Sequence, residues 1–326
     1  MKFGPAPVTQ AEGAILAHAT QAGTRRLPKG KLLAAPDIAV LQSAGISQVI
    51  VARLAPGDLD ENAAAAKLAL ALAGDGITAS AAATGRVNLF ADAAGIVALD
   101  VDAIHRVNAV NPMITVATLP QYTRVAAGNM VATIKIISYA VPGADVDQAA
   151  AVGQEISLLP PLYRRATLIE TRLARDPGDK GRAALGKRLS RFDASLDDRV
   201  IIPHKIKELS RALDRAAGEV IFILTASATS DIDDIGPAAL RAVGGTLTQF
   251  GMPVDPGNLL FLGDLRGRPV IGLPGCARSP ALNGADWVLE RVICGRPPTP
   301  QDFAAMGVGG LLKEIPDRPQ PRRDIG

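Results

Sequence analysis

The run Val220-Ile221-Phe222-Ile223-Leu224, continuing through Thr225-Ala226-Ser227-Ala228-Thr229-Ser230-Asp231-Ile232-Asp233-Asp234 into Ile235-Gly236-Pro237-Ala238-Ala239-Leu240-Arg241-Ala242, decides the fold. Its apolar start predicts a strand buried on both faces, as in a parallel sheet covered by helices. Its end predicts a helix with proline in the first turn. Between them lies a loop of mostly small and hydroxyl residues. A strand, such a loop and a helix N-terminus together make an anion site. Backbone N–H groups and the helix dipole point outward there, and small side chains let a phosphate approach. Asp231 and Asp234 add carboxylates where a phosphate-bound metal would sit.

Outward from this stretch, strands are predicted at Ala166–Thr171 and Val200–Ile202, a helix at Lys205–Ala217 and a strand at Leu247–Met252. A hairpin is predicted with arms Leu259–Leu265 and Pro269–Leu273, turning at Arg266-Gly267-Arg268. A helix at Asn283–Ile293 closes the set. Strands alternating with helices imply a mainly parallel sheet between helical layers, a three-layer αβα domain over residues 163–296. The polar, basic stretch that runs to Leu196 reads as a solvated loop, with contact to an anionic ligand as the alternative role for its Lys187 and Arg188.

The first half, residues 1–160, reads as an α+β domain. Helices are expected at Thr9–Ala19, Asp37–Ala44, Asn62–Ala73 and Asp145–Leu158, with strands at Val49–Ala52 and throughout Gly85–Val141. Leu159-Pro160-Pro161-Leu162 marks the linker between the domains. Residues 297–326, with Pro316, Pro319 and Pro321 among basic residues, read as a linker-like tail.

Composition narrows the class. Of 326 residues, 48% are apolar but only 3% aromatic, so the cores are built from Ala, Val, Leu and Ile. A net charge of +3 argues for neither nucleic acid nor membrane as partner. The positive excess is local: residues 164–215 hold 14 Lys and Arg against 8 Asp and Glu. That suits either a solvated helical face or attraction of an anionic ligand. Cys276 and Cys294 have no metal-ligand spacing. No secretory signal and no bilayer-spanning run appears, so a cytoplasmic location is expected.

Two further loops stand beside the first: Phe250-Gly251-Met252-Pro253-Val254-Asp255-Pro256-Gly257-Asn258 and Leu273-Pro274-Gly275-Cys276-Ala277-Arg278-Ser279-Pro280. Together the three resemble the molybdopterin-binding domain of molybdenum-cofactor biosynthesis proteins, a family that includes the competence-damage-inducible proteins. That family carries Thr-Gly-Gly-x-Ser-x-Gly-x-x-Asp after a buried strand, a Pro-Gly turn, and Leu-Pro-Gly-Asn-Pro before a helix. Carried over by position, Thr225, Ala226 and Ser227 stand at Thr-Gly-Gly, Thr229 at the serine, Asp231 at the second glycine and Asp234 at the aspartate. Pro256, Gly257 and Asn258 form the turn. Pro274 and Gly275 match the last loop, with Cys276, Ala277, Arg278 and Ser279 in place of Asn-Pro and its two successors. In the first half, Pro7-Val8, Glu12-Gly13, Lys29-Gly30, Pro56-Gly57-Asp58 and Gly85-Arg86-Val87-Asn88-Leu89 resemble the companion domain of a molybdopterin-binding subgroup.

The resemblance implies that Thr225, Ala226, Ser227, Ala228 and Thr229, with the other two loops, hold a molybdopterin phosphate. It implies catalytic and metal roles for Asp231 and Asp234 on Mg²⁺. Three roles stay open: molybdate insertion or nucleotidyl transfer, a non-catalytic carrier, and a nucleotide pyrophosphatase or amidase of the competence-damage type. The implied partners are a pterin phosphate, a molybdenum-cofactor nucleotidyltransferase in cis or in trans or a molybdoenzyme, and further copies of the chain in a homo-oligomer. Two departures matter. Ala226-Ser227 replaces two glycines, where added Cβ atoms would narrow a cradle that needs positive φ. Thr171-Arg172-Leu173-Ala174 stands where the family has Thr-Gly-Asp-Glu, so an acidic pair is gone. His204, after Pro203, is expected to cap a helix or face solvent.

Overall fold

The computed structural model describes residues 1–312. The chain divides into two compact units, one of residues 1–93 and 97–158, the other of residues 94–96 and the chain from Leu159 onward.

In the first unit, β1 (Lys2–Pro7), β2 (Ile15–Leu16) and β3 (Gln48–Arg53) form an antiparallel sheet with β3 central. With α1 (Ala35–Ser43), it buries a small core around Leu16, Leu27, Leu41 and Val51. A larger core lies between α2 (Glu61–Leu72) and a second sheet. This sheet is built from β4 (Ile77–Ala79), β5 (Arg86–Ala91), β6 (Ile114–Thr118) and β7 (Met130–Ile136), in the order β6-β7-β5-β4. The helix expected at Thr9–Ala19 does not form: a single 3-10 turn at Val8–Gln10 is followed by β2. Gly13 breaks it with φ 72, and its N–H donates to the Leu33 carbonyl at 2.8 Å. A helix appears inside the stretch read as all strand. α3 (Val101–Val110) is capped by Asp100, whose carboxylate accepts from Ala103 N at 3.1 Å, and buries Ala103, Ile104 and Val107. Its β-branched residues look strand-like, but their spacing is helical. The helix expected at Asp145–Leu158 forms as α4 (Gly143–Val152) and stops before Gly153.

In the second unit, the strands are β8 (Arg165–Arg172), β9 (Ser195–Pro203), β10 (Val220–Leu224), β11 (Thr246–Phe250), β12 (Phe261–Leu265) and β13 (Arg268–Leu273). They form one sheet in the order β9-β8-β10-β13-β12-β11. β9, β8, β10 and β13 run parallel, while the β12–β13 hairpin and β11 are antiparallel. The expected mainly parallel sheet and α/β class are therefore present. Alternation along β10 sets the layers. Ile221 and Ile223 pack with Leu209 and Leu213 of α6 (Ile206–Arg215) and Leu240 of α7 (Ile235–Ala242). Leu224 points to the other face, where a Cβ on Gly181 of α5 (Lys180–Leu189) would come within 2.8 Å of its Cδ1. α8 (Gly284–Ile293) joins α5 there through Arg188 and Asp286, 2.7 Å apart.

α5 corrects the solvated-loop reading of the basic stretch. Its buried residues, Gly181, Ala184, Leu185, Arg188 and Leu189, recur at helical spacing. The stretch read as a linker-like tail is folded in part: α9 (Pro300–Ala305) is capped by Thr299 and buries Phe303, and residues 313–326 lie outside the described residues.

Glu219 fastens the start of the central strands. Its Oε2 accepts from the N–H groups of Arg164 and Arg165 at 2.8 and 2.9 Å. These two backbone donors outweigh desolvation and hold its carboxyl below the ordinary 4.5. A depressed folded value means the stabilisation is complete above the ordinary glutamate range and is lost as pH falls through the folded value. Glu219→Gln is expected to cost about 1 kcal/mol at neutral pH, a figure discounted for partial exposure. Urea titrations across the acid range should show that difference shrinking. A constant difference would mean the carboxylate's charge plays no part.

Candidate functional site

The sheet register sets the site. Glu170 pairs with Leu224, and Leu224 pairs with Leu273, so β10 and β13 end level, β8 runs two residues further, and all three release their loops at one edge. This is where open α/β sheets bind ligands.

The loop after β10 is held from within. Thr225 Oγ1 donates to the Ser227 carbonyl at 2.7 Å and lies 3.2 Å from Thr229 Oγ1. Both threonines are buried, while Ala226, Ser227 and Ala228 are exposed at the rim. None of residues 225–234 has a positive φ. The conformational cost expected from replacing two glycines therefore does not arise.

Asp234 is the N-cap of α7. Its Oδ1 accepts from Ile235 N at 2.7 Å and its Oδ2 from Ser230 N at 3.0 Å. Asp231 Oδ1 accepts from Asp233 N at 2.8 Å. Both carboxylates hold the loop-to-helix transition. Among the described residues, no group of three or more His, Cys, Asp or Glu side chains could hold a metal. Mg²⁺ usually takes one or two carboxylates from a protein, with water and substrate phosphate completing its shell. Here both carboxylates already accept backbone N–H groups, and nothing else among the described residues supports the ion.

The loop after β13 forms a 3-10 turn at Gly275–Arg278 and is built around Arg188. The Arg188 guanidinium donates to the carbonyls of Ala277 (2.9 Å), Ser279 (3.0 Å) and Ala281 (3.2 Å), and through Nε to Asp286 Oδ1 (2.7 Å). Asp286 also accepts from Asn283 N at 2.9 Å, closing the capping box of α8. Arg278 ties the two loops together, donating to the Thr225 carbonyl at 3.1 Å. Between this turn and α5 lies a cleft of about 750 Å³ lined by Lys180, Lys187, Cys276, Arg278, Ser279 and Pro280, among others. Three of those side chains are cationic.

The Pro256–Asn258 turn packs against the start of α8. Pro256 follows a cis peptide and accepts from Gly284 N at 2.8 Å through its carbonyl. Gly257 has φ 146, and a Cβ there would stand 2.8 Å from Gly284 N. Pro256 and Gly257 are thus packed against the start of α8, and only Asn258 is exposed. Cys276 is half-buried in the cleft wall. Cys294 is buried, and desolvation pushes its thiol up to about 12, so it is unreactive at neutral pH.

His204 is not the simple cap or surface residue expected. It follows β9 and is half-buried. Its Nδ1 lies 2.8 Å from Thr171 Oγ1 at the end of β8, and its Nε2 lies 2.8 Å from Ser227 Oγ. Thr171, fully buried, also accepts from Ala226 N at 2.7 Å. Glu170, next to it, is buried too. Its Oε2 accepts from Arg199 Nε at 2.6 Å, whereas its Oε1 has no partner among the described residues. No spacing in the sequence signals this cluster, because its members come from successive elements.

Residues 5–53 match a family model described as a domain of unknown function, DUF8806. No curated protein matches the chain. Solved structures similar to it include CinA, a protein of unknown function from Thermoplasma acidophilum, at 12% identity and a TM-score of 0.30, over 36% of this chain and 90% of that one. A molybdopterin biosynthesis MoeA protein from Pyrococcus horikosii is similar at 13% identity and a TM-score of 0.30, over 94% of this chain and 77% of that one. A molybdenum cofactor biosynthesis protein from Pyrococcus furiosus is similar at 12% identity and a TM-score of 0.28, over 91% of this chain and 65% of that one. Likenesses this slight carry no functional weight beside the site itself. Among the described residues, no helix is long and apolar enough to cross a membrane.

Proposed function

We propose that the second unit binds a small phosphorylated molecule of the pterin class, as used in molybdenum-cofactor biosynthesis. One observation carries this: Lys180, Lys187 and Arg278 face a single cleft at the carboxyl edge of the parallel sheet, beside the exposed Ala226–Ala228 rim. Cations around such a cleft attract a dianionic phosphate, and an arginine anchored to a neighbouring carbonyl meets it with little loss of side-chain entropy. The pterin itself is suggested by the three loop sequences.

Of the roles left open, the carrier is favoured, because Asp231 and Asp234 already accept backbone N–H groups that hold the loop to the start of α7. In this reading the chain holds its ligand for a nucleotidyltransferase or a molybdoenzyme. The test is calorimetric titration with molybdopterin against mononucleotides of equal charge, together with fluorescence of any pterin that co-purifies. Preferential binding of the pterin without turnover is expected. Equal binding of simple nucleotides would defeat the pterin assignment, and metal-dependent turnover would defeat the carrier.

A further inference from the structure

The Thr171–His204–Ser227 cluster has a direction that hydrogen counting reveals. The Thr171 hydroxyl has one proton to donate and two lone pairs. One lone pair accepts from Ala226 N at 2.7 Å. Thr171 is fully buried, so its proton cannot go to solvent, and His204 Nδ1 at 2.8 Å is its one acceptor among the described residues. If Nδ1 carried the ring proton instead, Thr171 would accept twice and its own proton would be stranded in the interior, which is costly. The neutral ring is therefore held with its proton on Nε2. That proton points at Ser227 Oγ, 2.8 Å away. Having accepted it, the Ser227 hydroxyl turns its own proton outward, on a side chain exposed at the rim.

We infer that Ala226 N–H, Thr171, His204 and Ser227 form a one-way relay that presents the Ser227 hydroxyl as a hydrogen-bond donor to an oxyanion. Each donor polarises the next, so the terminal hydroxyl donates more strongly than an isolated serine. The relay is a second oxyanion subsite, joined to the cationic cleft through Arg278, which donates to the Thr225 carbonyl at 3.1 Å. It suits a ligand bearing two oxygen-rich groups, one in each subsite. The same polarity excludes Ser227 as a histidine-activated nucleophile, since that role requires Nε2 to be an unprotonated acceptor.

This deepens the phosphate-binding proposal, but it can fail separately because its first measurement uses the ligand-free protein. Long-range ¹H–¹⁵N correlation spectra recorded above the ordinary imidazole range should show His204 with its proton on Nε2. Thr171→Val, which removes the donor to Nδ1, should let the other tautomer appear. Inorganic phosphate titrated into Ser227→Ala should bind about tenfold more weakly than into the unaltered protein. Ser227 is exposed, so that variant is expected to fold even if changes at buried Thr171 do not. An Nδ1–H tautomer in the unaltered protein, covalent labelling of Ser227 by a fluorophosphonate, or phosphate affinity unchanged in Ser227→Ala would each overturn the inference.

Discussion

Arg188→Met is expected to destabilise the second unit by about 3–5 kcal/mol, the range for removing one partner of a buried ion pair. Arg188 and Asp286 are 4% and 3% exposed, so neither loss is compensated by water. The substitution leaves the buried Asp286 with only the more distant, part-exposed Arg191 guanidinium, 3.9 Å away, and strips three carbonyls of the 277–281 loop of their shared donor. Lysine does not rescue it, because a point ammonium cannot serve four acceptors arranged for a planar fork. The single tryptophan, Trp287, adjoins Asp286 on α8, so denaturant unfolding followed by its fluorescence reads the change locally. Arg188→Met combined with Asp286→Leu should regain part of the stability, since the buried carboxylate that has lost its close partner is gone. Hydrogen exchange in residues 275–281 should stay fast in that double variant, because the loop's organising donor is still missing. If the single variant unfolded within about 0.5 kcal/mol of the unaltered protein, the guanidinium would not be what holds the loop.

Lys180→Glu combined with Lys187→Glu is expected to weaken binding of a phosphorylated ligand about a hundredfold, close to 2.7 kcal/mol. Each reversal replaces attraction with repulsion at the mouth of one cleft, and Coulomb energies near a surface are of order 1 kcal/mol or more per pair. Both lysines are exposed and neither is in an ion pair among the described residues, so folding stability should hardly change. A glutamate at position 180, in the first turn of α5, suits the helix dipole, and one at position 187, in the last turn, opposes it, so the two effects offset. Calorimetric titration at low and at high salt checks this. The difference between variant and parent should shrink as salt rises, because exposed charges are screened. An unchanged affinity at low salt would place the ligand elsewhere on the molecule.

Much of the fold was legible because it rests on local patterns. The apolar run of β10 allowed only a covered strand, and Arg266-Gly267-Arg268 between two apolar runs made the β12–β13 hairpin readable. Hydroxyl and small residues followed by Pro237 marked the loop and the helix. What failed locally also has a local cause. α5 carries an apolar stripe at helical spacing, but one of its inward positions is Arg188, and an arginine reads as surface until its acceptors are known. Gly13 turned an apparent helix into a turn, because one positive φ outweighs several helix-forming neighbours.

The site divides in the same way. Sequence alone determined that phosphate-friendly loops follow β10 and β13, and that Arg278 stands among them. Only the tertiary structure decided their chemistry. That Asp231 and Asp234 accept backbone N–H groups at a helix start was visible only in three dimensions. Lys180 and Lys187 became cleft residues only when α5 was laid beside the Gly275–Arg278 turn. Thr171, His204 and Ser227 end or follow three different strands, so parallel pairing, and no motif, brings them within hydrogen-bond range. Periodicity and turn chemistry are properties of neighbours along the chain, whereas the partner of a buried donor is chosen by the sheet register and the packing across it.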